Sequence, residues 1–145
     1  MKISTKGRYA LRMLLDLAEH QEDGFIALKE IAARQNISKK YLEQIVPLLN
    51  RFDILITNRG YRGGYKLAKS PDQYKVGDIL RITEGSLAPV SCLEQNPNQC
   101  PMKDECATLP MWEGLNKVIT DYLDGMTLQD LLDNKHAEFV NDYVI

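Results

Sequence analysis

A glycine- and arginine-rich tip between two short β-prone segments is the feature that most constrains how this chain folds. The tip, residues 59–64, reads Arg-Gly-Tyr-Arg-Gly-Gly and separates a β-prone run at residues 54–58 from Tyr-Lys-Leu at residues 65–67. Tight turns between antiparallel strands need positive φ angles, which glycine adopts without steric cost. The pattern therefore predicts a β-hairpin with two arginines at its tip.

Three helical segments precede this hairpin. Apolar residues recur at helical spacing over roughly residues 5–19, 28–35 and 39–52. Asn36 tolerates the left-handed backbone of a tight helix–helix turn, and Ser38 can cap the third helix. Three short helices followed by a hairpin predict a mainly α fold with a small β-hairpin wing, which is a winged helix-turn-helix.

The remainder of the chain predicts more helices around one irregular segment. A short helix is expected from Val76 to near Gly85, and residues 87–110, which hold all three cysteines, are expected to form a loop. A longer helix is expected at residues 111–123, followed by a short last helix capped by Thr127. The longer helix carries an apolar stripe of Met111, Leu115, Val118, Ile119 and Tyr122.

Charge is distributed unevenly along the chain. The formal net charge is −2, yet residues 1–81 contain 15 Lys and Arg against 9 Asp and Glu, whereas residues 82–145 contain 3 against 11. A basic half neutralises phosphates, and an acidic half facing the same polyanion is repelled. Chance segregation of solvated charge gives the same pattern, so charge alone only suggests a nucleic-acid partner.

The sequence offers no pattern typical of a membrane protein or an enzyme. No apolar run approaches the length of a membrane span, and the first residues lack the apolar stretch of a signal peptide. A Ser/His/Asp set and a phosphate-cradling glycine loop are also missing from the sequence. We therefore expect a cytoplasmic protein that has no membrane partner and is not an enzyme.

The third helix and the hairpin tip carry the residues expected to bind double-stranded DNA. The second helix of a helix-turn-helix enters the major groove, where Gln pairs with adenine and Glu accepts from cytosine. Arginines on a wing suit the negative potential of a narrow minor groove. The alternatives are an ordinary solvated helix face and a winged helix that binds protein. The candidate residues are Ser38, Lys39, Lys40, Tyr41, Glu43 and Gln44 on the helix and Arg59, Tyr61 and Arg62 on the tip.

Three cysteines, Cys92, Cys100 and Cys106, lie in one proline-containing loop. Thiolates are the usual protein ligands of iron–sulfur clusters, and a loop can wrap its sulfur atoms around one. Structural zinc sites usually draw on cysteine pairs about two to four residues apart, and no such pair occurs here. A metal-free thiol switch or buried thiols without a special role would use the same residues. Their spacing leaves these interpretations open.

Several stretches together point to one known group of proteins. They are MKISTKGRYA at the start of the chain, ISKKYLEQ at residues 37–44, RGYRGGY at residues 59–65 and MTLQDL at residues 126–131. With the cysteine loop, they resemble the Rrf family of bacterial winged-helix transcription regulators, which includes IscR, NsrR, RirA and CymR. The resemblance implies a homodimer in which the long helix packs against its symmetry mate and two wings meet a roughly palindromic DNA site.

The resemblance also bears on the cysteines. Cluster-binding members of the family carry three cysteines in this loop, whereas the branch typified by CymR lacks them. The resemblance therefore implies that Cys92, Cys100 and Cys106 hold an iron–sulfur cluster, either 2Fe-2S or 4Fe-4S.

The fourth ligand of such a cluster is not assigned by the resemblance. The IscR branch has a histidine where this chain has Leu109. Other branches use a residue of the partner's first helix, and the corresponding positions here are Arg8 and Arg12. Asp104 and Glu105 are nearby candidates. The two histidines, His20 and His136, lie far away in the sequence.

These observations predict the organisation and the role of the chain. We expect a winged helix-turn-helix domain at residues 1–81, a cysteine-bearing sensor loop at residues 82–110, and a dimerisation helix with a C-terminal helix at residues 111–145. The predicted function is a transcription regulator that senses iron–sulfur cluster, iron, redox or nitric oxide status. The alternative is a cluster-free regulator that responds to a small molecule, a thiol state or a partner protein.

Overall fold

Six α-helices and one two-stranded antiparallel hairpin are the main elements of the described part of the chain. The computed structural model describes the backbone of residues 2–143 and the side chains of residues 2–137. The helices are α1 (Thr5–Glu19), α2 (Leu28–Gln35), α3 (Lys39–Arg51), α4 (Val76–Glu84), α5 (Leu109–Asp124) and α6 (Leu128–Tyr143), and the strands are β1 (Leu55–Asn58) and β2 (Gly64–Leu67). No helix in the described part of the chain is long and apolar enough to cross a membrane.

The hairpin confirms the predicted wing, and it is anchored to the start of α2. β1 and β2 pair from Leu55 opposite Leu67 to Asn58 opposite Gly64. Ile26, just before α2, exchanges two backbone hydrogen bonds with Tyr65 of β2, at 2.9 and 2.8 Å. A Cβ atom on Gly64 would collide with the carbonyl group of Ile26. Glycine at this position therefore lets the wing pack closely against the helix-turn-helix.

The main hydrophobic core is organised around α1. Its buried residues from the first three helices and the hairpin include Leu14, Ile31, Leu42 and Leu55. Leu128 and Leu132 of α6 lie in the same core, so the C-terminal helix packs back onto the winged helix-turn-helix. A second, smaller core joins α4, α5 and the residues that follow α4; its buried members are Val76, Leu80 and Leu87.

The last helix is longer than predicted. We expected a short helix carrying Leu128, Leu131 and Leu132, but α6 has 16 residues. After Leu132, residues 133–137 are polar apart from Ala137, and they are exposed. This stretch interrupts the apolar pattern, so the sequence signal for the helix ended near Leu132.

A buried carboxylate joins α1 to α2. Asp16 is 1% exposed and accepts hydrogen bonds from Arg34 Nε at 3.0 Å, Arg34 Nη2 at 2.7 Å and Gln35 Nε2 at 3.0 Å. Burial by itself would raise the pKa of Asp16, but the hydrogen bonds from Arg34 and Gln35 and the charge of Arg34 hold this pKa below its usual value. The network fixes α2, and α2 in turn positions α3.

Replacing Asp16 by asparagine is expected to lower the free energy of unfolding at pH 7 by about 3 kcal/mol, because it breaks a buried ion pair. The folded-state pKa of Asp16 is depressed, so its contribution is present above about pH 4 and is lost as the pH falls through the folded-state value. Urea unfolding at neutral and acidic pH should therefore show the gap between wild type and Asp16→Asn narrowing in acid.

The matched control is Asp121→Asn, because Asp121 is exposed and pairs with exposed Lys117. Its effect should stay below about 1 kcal/mol at neutral pH. A gap between wild type and Asp16→Asn that does not change with pH would contradict this assignment of the charge.

Candidate DNA-binding surface and cysteine loop

The first turn of α3 presents polar side chains to solvent. Ser38 caps the helix, and its hydroxyl accepts a hydrogen bond from the backbone N–H of Tyr41 at 3.0 Å. The apolar face of α3 is buried, so the opposite face is exposed. The exposed candidates on and beside that face are Ser38, Lys39, Lys40, Glu43 and Gln44. The structure thus brings the predicted helix residues together on one surface.

Two of these residues interact with each other. Lys39 Nζ lies 3.8 Å from Glu43 Oε1, and both side chains are more than half exposed. Exposed pairs one helical turn apart are weak, so this contact is easily exchanged for a contact with a base or a phosphate.

The wing tip is fully open to solvent. Tyr61 is 95% exposed, and Arg59 and Arg62 are also exposed. Gly63 N–H donates to the carbonyl of Gly60 at 2.9 Å and closes the turn. A cationic and aromatic tip of this kind suits the entrance of a minor groove.

Two residues of the tip have positive φ angles, and only one of them is a glycine. Gly60 (φ +107°) and Arg62 (φ +64°) have them, whereas Gly63 and Gly64 do not. A Cβ atom on Gly63 would crowd the carbonyl groups of Asn58 and Gly60. The last two glycines of the motif are therefore required for close approach of the backbone, and Arg62 carries the strain of the turn.

A chain of side chains behind α3, missed by sequence reasoning, connects α1 to the recognition surface. The Tyr41 ring packs edge-on against Tyr9 with 5.3 Å between centroids, and the Arg12 guanidinium lies 5.3 Å from the Tyr9 centroid. Arg12 also donates from Nε to Gln35 Oε1 at 3.3 Å and from Nη2 to the Gln35 carbonyl. The three-residue spacing of Tyr9 and Arg12 on α1 was the only sequence signal for this arrangement.

The cysteine loop leaves the second core after Leu87 and returns to regular structure at α5. Cys92 lies in a short turn at Ser91–Leu93, and Cys100 and Cys106 lie in later turns. All three thiols are free and partly exposed. In the part of the chain that the structure describes, no three Cys, His, Asp or Glu side chains are grouped closely enough to hold a metal ion.

The thiol of Cys106 is tuned by the residue that precedes α5. Its Sγ lies 3.4 Å from Thr108 Oγ1 in a hydrogen bond. This contact, together with the backbone N–H groups of Thr108 and Leu109, lowers the pKa of the Cys106 thiol below its usual value.

A cleft of about 660 Å³ lies between the loop and the first turns of α5. Each cysteine has a neighbour on its wall. Leu93 follows Cys92 in the chain; Asn98 Oδ1 accepts from the backbone N–H of Cys100 at 2.8 Å; and the Leu109 N–H donates to the carbonyl of Cys106 at 3.3 Å. Three charged residues, Lys103, Asp104 and Glu113, line the same cleft.

The side-chain amide of Asn98 is unsatisfied on its nitrogen side. Among the described residues, Nδ2 is the one buried side-chain N or O atom without a hydrogen-bond partner. A buried donor left in this way costs about 1–3 kcal/mol. The wall of the cleft therefore holds a hydrogen-bond donor that no described residue pairs with. An acceptor on a molecule bound in the cleft would pair with it.

The apolar stripe of α5 is largely exposed. Met111 is 57% exposed, Leu115 41%, Val118 65% and Tyr122 67%, and the spacing of four, three and four residues places them on one face. Ile119, the fifth residue of the predicted stripe, packs instead against the second core. These four exposed residues, Met111, Leu115, Val118 and Tyr122, form the α5 stripe.

Two polar contacts hold the segments on either side of the loop. The guanidinium of Arg81 on α4 binds Asp124 at the end of α5 through two hydrogen bonds of 2.9 and 3.0 Å. Ser4, which caps α1, donates from its backbone N–H and its hydroxyl to Glu84 Oε1 at 2.9 and 2.7 Å. Both α1 and α5 are thus tied to α4, the helix that leads into the cysteine loop.

A helix-turn-helix with an exposed polar recognition helix and a cationic wing defines a DNA-binding protein of the winged-helix class. The sequence profile of the Rrf2 family, described as an iron-dependent transcriptional regulator, matches residues 3–134. This chain belongs to the Rrf2 family and is a DNA-binding transcription regulator.

Individual relatives agree with this assignment. The chain is 37% identical over 142 residues to the HTH-type transcriptional regulator IscR of Pectobacterium carotovorum, covering 98% of this chain and 85% of that protein. It is 40% identical over 131 residues to the HTH-type transcriptional regulator CymR of Bacillus subtilis, covering 90% and 89%.

Solved structures of both kinds of relative share the fold. The structure of B. subtilis CymR, described as the global cysteine regulator, has a TM-score of 0.75 at 38% identity and covers 92% of this chain and 98% of that one. The T. potens IscR structure has the same TM-score at 39% identity and covers 93% and 88%.

Proposed function

We propose that this regulator is a homodimer whose affinity for DNA depends on an iron–sulfur cluster held by Cys92, Cys100 and Cys106. The observation that carries the proposal is the presence of three free thiols in one loop between α4, which contacts the DNA-binding unit, and the exposed α5 stripe. Membership of the family supports DNA binding. The three cysteines are the residues through which we expect that binding to be regulated.

The residues of the loop fit a cluster in their chemistry. Three thiols are the usual ligand type, and the unsatisfied Asn98 Nδ2 is suited to donate to a sulfur atom, a contact that tunes such clusters. The thiols are not grouped in the described conformation, so binding requires the loop to draw them together. When bound, an iron–sulfur cluster supplies a centre that can be oxidised, lost or attacked by small molecules.

The proposed DNA contacts come from the helix and the wing. Gln44 and Glu43 read base edges in the major groove, and Ser38, Lys39, Lys40 and Tyr41 contact the backbone around them. Arg59, Tyr61 and Arg62 enter the minor groove. The partners are double-stranded DNA and a second copy of the chain. The acidic C-terminal part of the chain faces away from the DNA.

The proposed route from the loop to the DNA-binding surface runs through α4. Leu87 at the start of the loop is buried with Val76 and Leu80 of α4, and the Arg81–Asp124 pair joins α4 to α5. A loop that contracts around its thiols pulls on this junction. The angle between α5 and the winged helix-turn-helix then changes, and with it the spacing of the two wings in the dimer.

Anaerobic reconstitution of the full chain with iron and sulfide tests the cluster. We expect visible absorption together with stoichiometric iron and acid-labile sulfide in the wild type, and none in a Cys92→Ser, Cys100→Ser, Cys106→Ser variant. Ser91→Ala in the same loop is the matched control and should bind as the wild type does. Equal iron and sulfide in the wild type and the triple variant would refute the proposal.

A cluster-free thiol sensor is the second candidate. It is favoured by the partly exposed Cys106, whose pKa is lowered by Thr108, and by the similarity to CymR, the global cysteine regulator. This candidate predicts that the colourless, metal-free protein changes its DNA affinity on mild oxidation. It also predicts that Cys106→Ser alone abolishes that change.

A further inference from the structure

The first half of α1 lies directly beside the recognition helix α3. The ring of Tyr9 packs edge-on against the ring of Tyr41, with 5.3 Å between the two centroids. Tyr41 stands in the first turn of α3, which Ser38 caps. This aromatic contact therefore brings α1 to one flank of the helix end that presents the proposed DNA-reading side chains.

Arg12 holds α1 in this position. Its guanidinium lies 5.3 Å from the Tyr9 centroid, and its Nε donates to Gln35 Oε1 at 3.3 Å. Its Nη2 donates to the backbone carbonyl of Gln35, the last residue of α2. The last carbonyl groups of a helix have no partner within the helix, so a cationic donor is favourable there. Arg12 is thus committed to the turn between α2 and α3.

Arg8 lies one helical turn before Arg12 and has no comparable partner. Residues four apart share a face of a helix, so Arg8 and Arg12 are neighbours on α1. Arg8 is exposed, and its guanidinium donates to the Thr5 hydroxyl at 3.4 Å. Within the described residues it forms no ion pair with a carboxylate. Two neighbouring like charges repel each other, and an anion bound at Arg8 would offset that repulsion.

The start of α1 is basic, although helices favour acidic residues at this end. Its first turn contains no acidic residue, and Lys6 and Arg8 are both exposed. A cation here is opposed by the helix dipole. Glu84 of α4 accepts hydrogen bonds from the backbone N–H and the hydroxyl of Ser4, the capping residue. Because Glu84 already occupies the cap, an incoming anion would be bound by the Arg8 side chain and not by the helix end.

We infer that Arg8 contacts a phosphate of the DNA strand that borders the major groove entered by α3. The inference rests on the proposed placement of α3 in the groove and is independent of the cluster. A sugar–phosphate backbone runs along each side of the groove, so side chains on the flank of α3 meet phosphate oxygens. The Tyr9–Tyr41 contact places α1 on that flank. A guanidinium can then pair with a phosphate through two parallel hydrogen bonds.

A phosphate contact has a signature that distinguishes it from a base contact and from a purely structural role. Each phosphate that a cation neutralises releases counterions, and the logarithm of affinity then falls with the logarithm of salt concentration by about 0.9 per contact. The contact does not depend on the base sequence. Loss of the Arg8 charge should therefore weaken binding to all sequences alike and leave the base preference unchanged.

The test measures the DNA affinity of the full chain by fluorescence anisotropy at several salt concentrations, on a duplex of random sequence and on a selected site. Arg8→Gln is expected to reduce the salt slope by about 1 per protomer on both duplexes. Arg8→Lys keeps the charge and should retain the wild-type slope. Lys135→Gln is the matched control, because Lys135 is an exposed cation that pairs with Glu19 at the other end of α1. It should bind as the wild type does.

Each other outcome overturns the inference in a different way. A wild-type salt slope in Arg8→Gln removes the phosphate contact. Weaker binding confined to the selected site points instead to a base contact, and a change in sedimentation points to a contact between protomers. If Gln44→Ala also keeps the wild-type affinity and base preference, the proposed placement of α3 in the groove fails together with the inference.

Discussion

Replacing Val118 by aspartate is expected to convert the protein to a monomer and to weaken binding to a palindromic DNA site by about 10²- to 10⁴-fold. Val118 is 65% exposed in the centre of the α5 stripe, and in the proposed homodimer a charge there would have to be buried against a second copy of the same apolar face. The loss of DNA affinity follows because two linked half-site contacts become two independent ones.

The measurements are sedimentation for the oligomeric state and fluorescence anisotropy for DNA affinity. Lys117→Asp is the matched control, because it places the same side chain on the adjacent, 75% exposed position outside the stripe. It should leave the dimer intact. A Val118→Asp variant that remains a dimer would show that the stripe is covered by something other than a second copy.

Replacing Gln44 by alanine is expected to weaken DNA binding by about 1–3 kcal/mol per half-site and to relax the preference for one base pair. Gln44 is exposed on the polar face of α3, where its amide can make paired hydrogen bonds with adenine. Lys40→Ala should instead weaken binding to all sequences alike and reduce the salt dependence, since a lysine beside the helix N-terminus contacts phosphate.

Affinities for a selected site and its single-base variants, each measured at several salt concentrations, distinguish the two variants. Lys117→Ala, in the acidic part of the chain, serves as the control and should not alter either property. A Gln44→Ala variant with the sequence preference and affinity of this control would place base recognition elsewhere on the protein.

The elements that the sequence predicted well are those with a strong local signal. The periodic apolar faces of α1, α2 and α3 and the glycine-rich tip before Tyr65 predicted the winged helix-turn-helix with boundaries that agree closely with the structure. The apolar stripe predicted a long helix, and the exposure of Val118 and its three companions adds that this face is not used within the protomer. The division of the chain at residues 81 and 110 stays a prediction.

The features that the sequence did not reveal depend on contacts between distant residues. Asp16 sits on the apolar face of α1, and nothing in its local pattern indicates the bonds from Arg34 and Gln35 that satisfy it. The close approach at Gly64 depends on how the wing packs against Ile26. Periodicity describes one element at a time, so it carries no information about such packing.

The candidate site also combines features that have a local sequence signal with features that depend on contacts between distant residues. The cysteines and the polar face of α3 could be identified from residue types and spacing. The cleft beside the loop could not be identified in this way, because α5 and the loop contribute to it from separate parts of the chain.

The proposed control of DNA binding by the cluster is tested by comparing the DNA affinity of one wild-type preparation with and without its cluster. The site would be obtained by selecting genomic fragments under anaerobic conditions, and affinity would be measured at a fixed salt concentration. We expect a difference of about 5- to 150-fold between the two forms of the wild type, as is typical of coupling between two sites. We expect no difference for the Cys92→Ser, Cys100→Ser, Cys106→Ser variant treated identically. Equal affinity of the loaded and stripped wild type would show that the cluster does not control DNA binding.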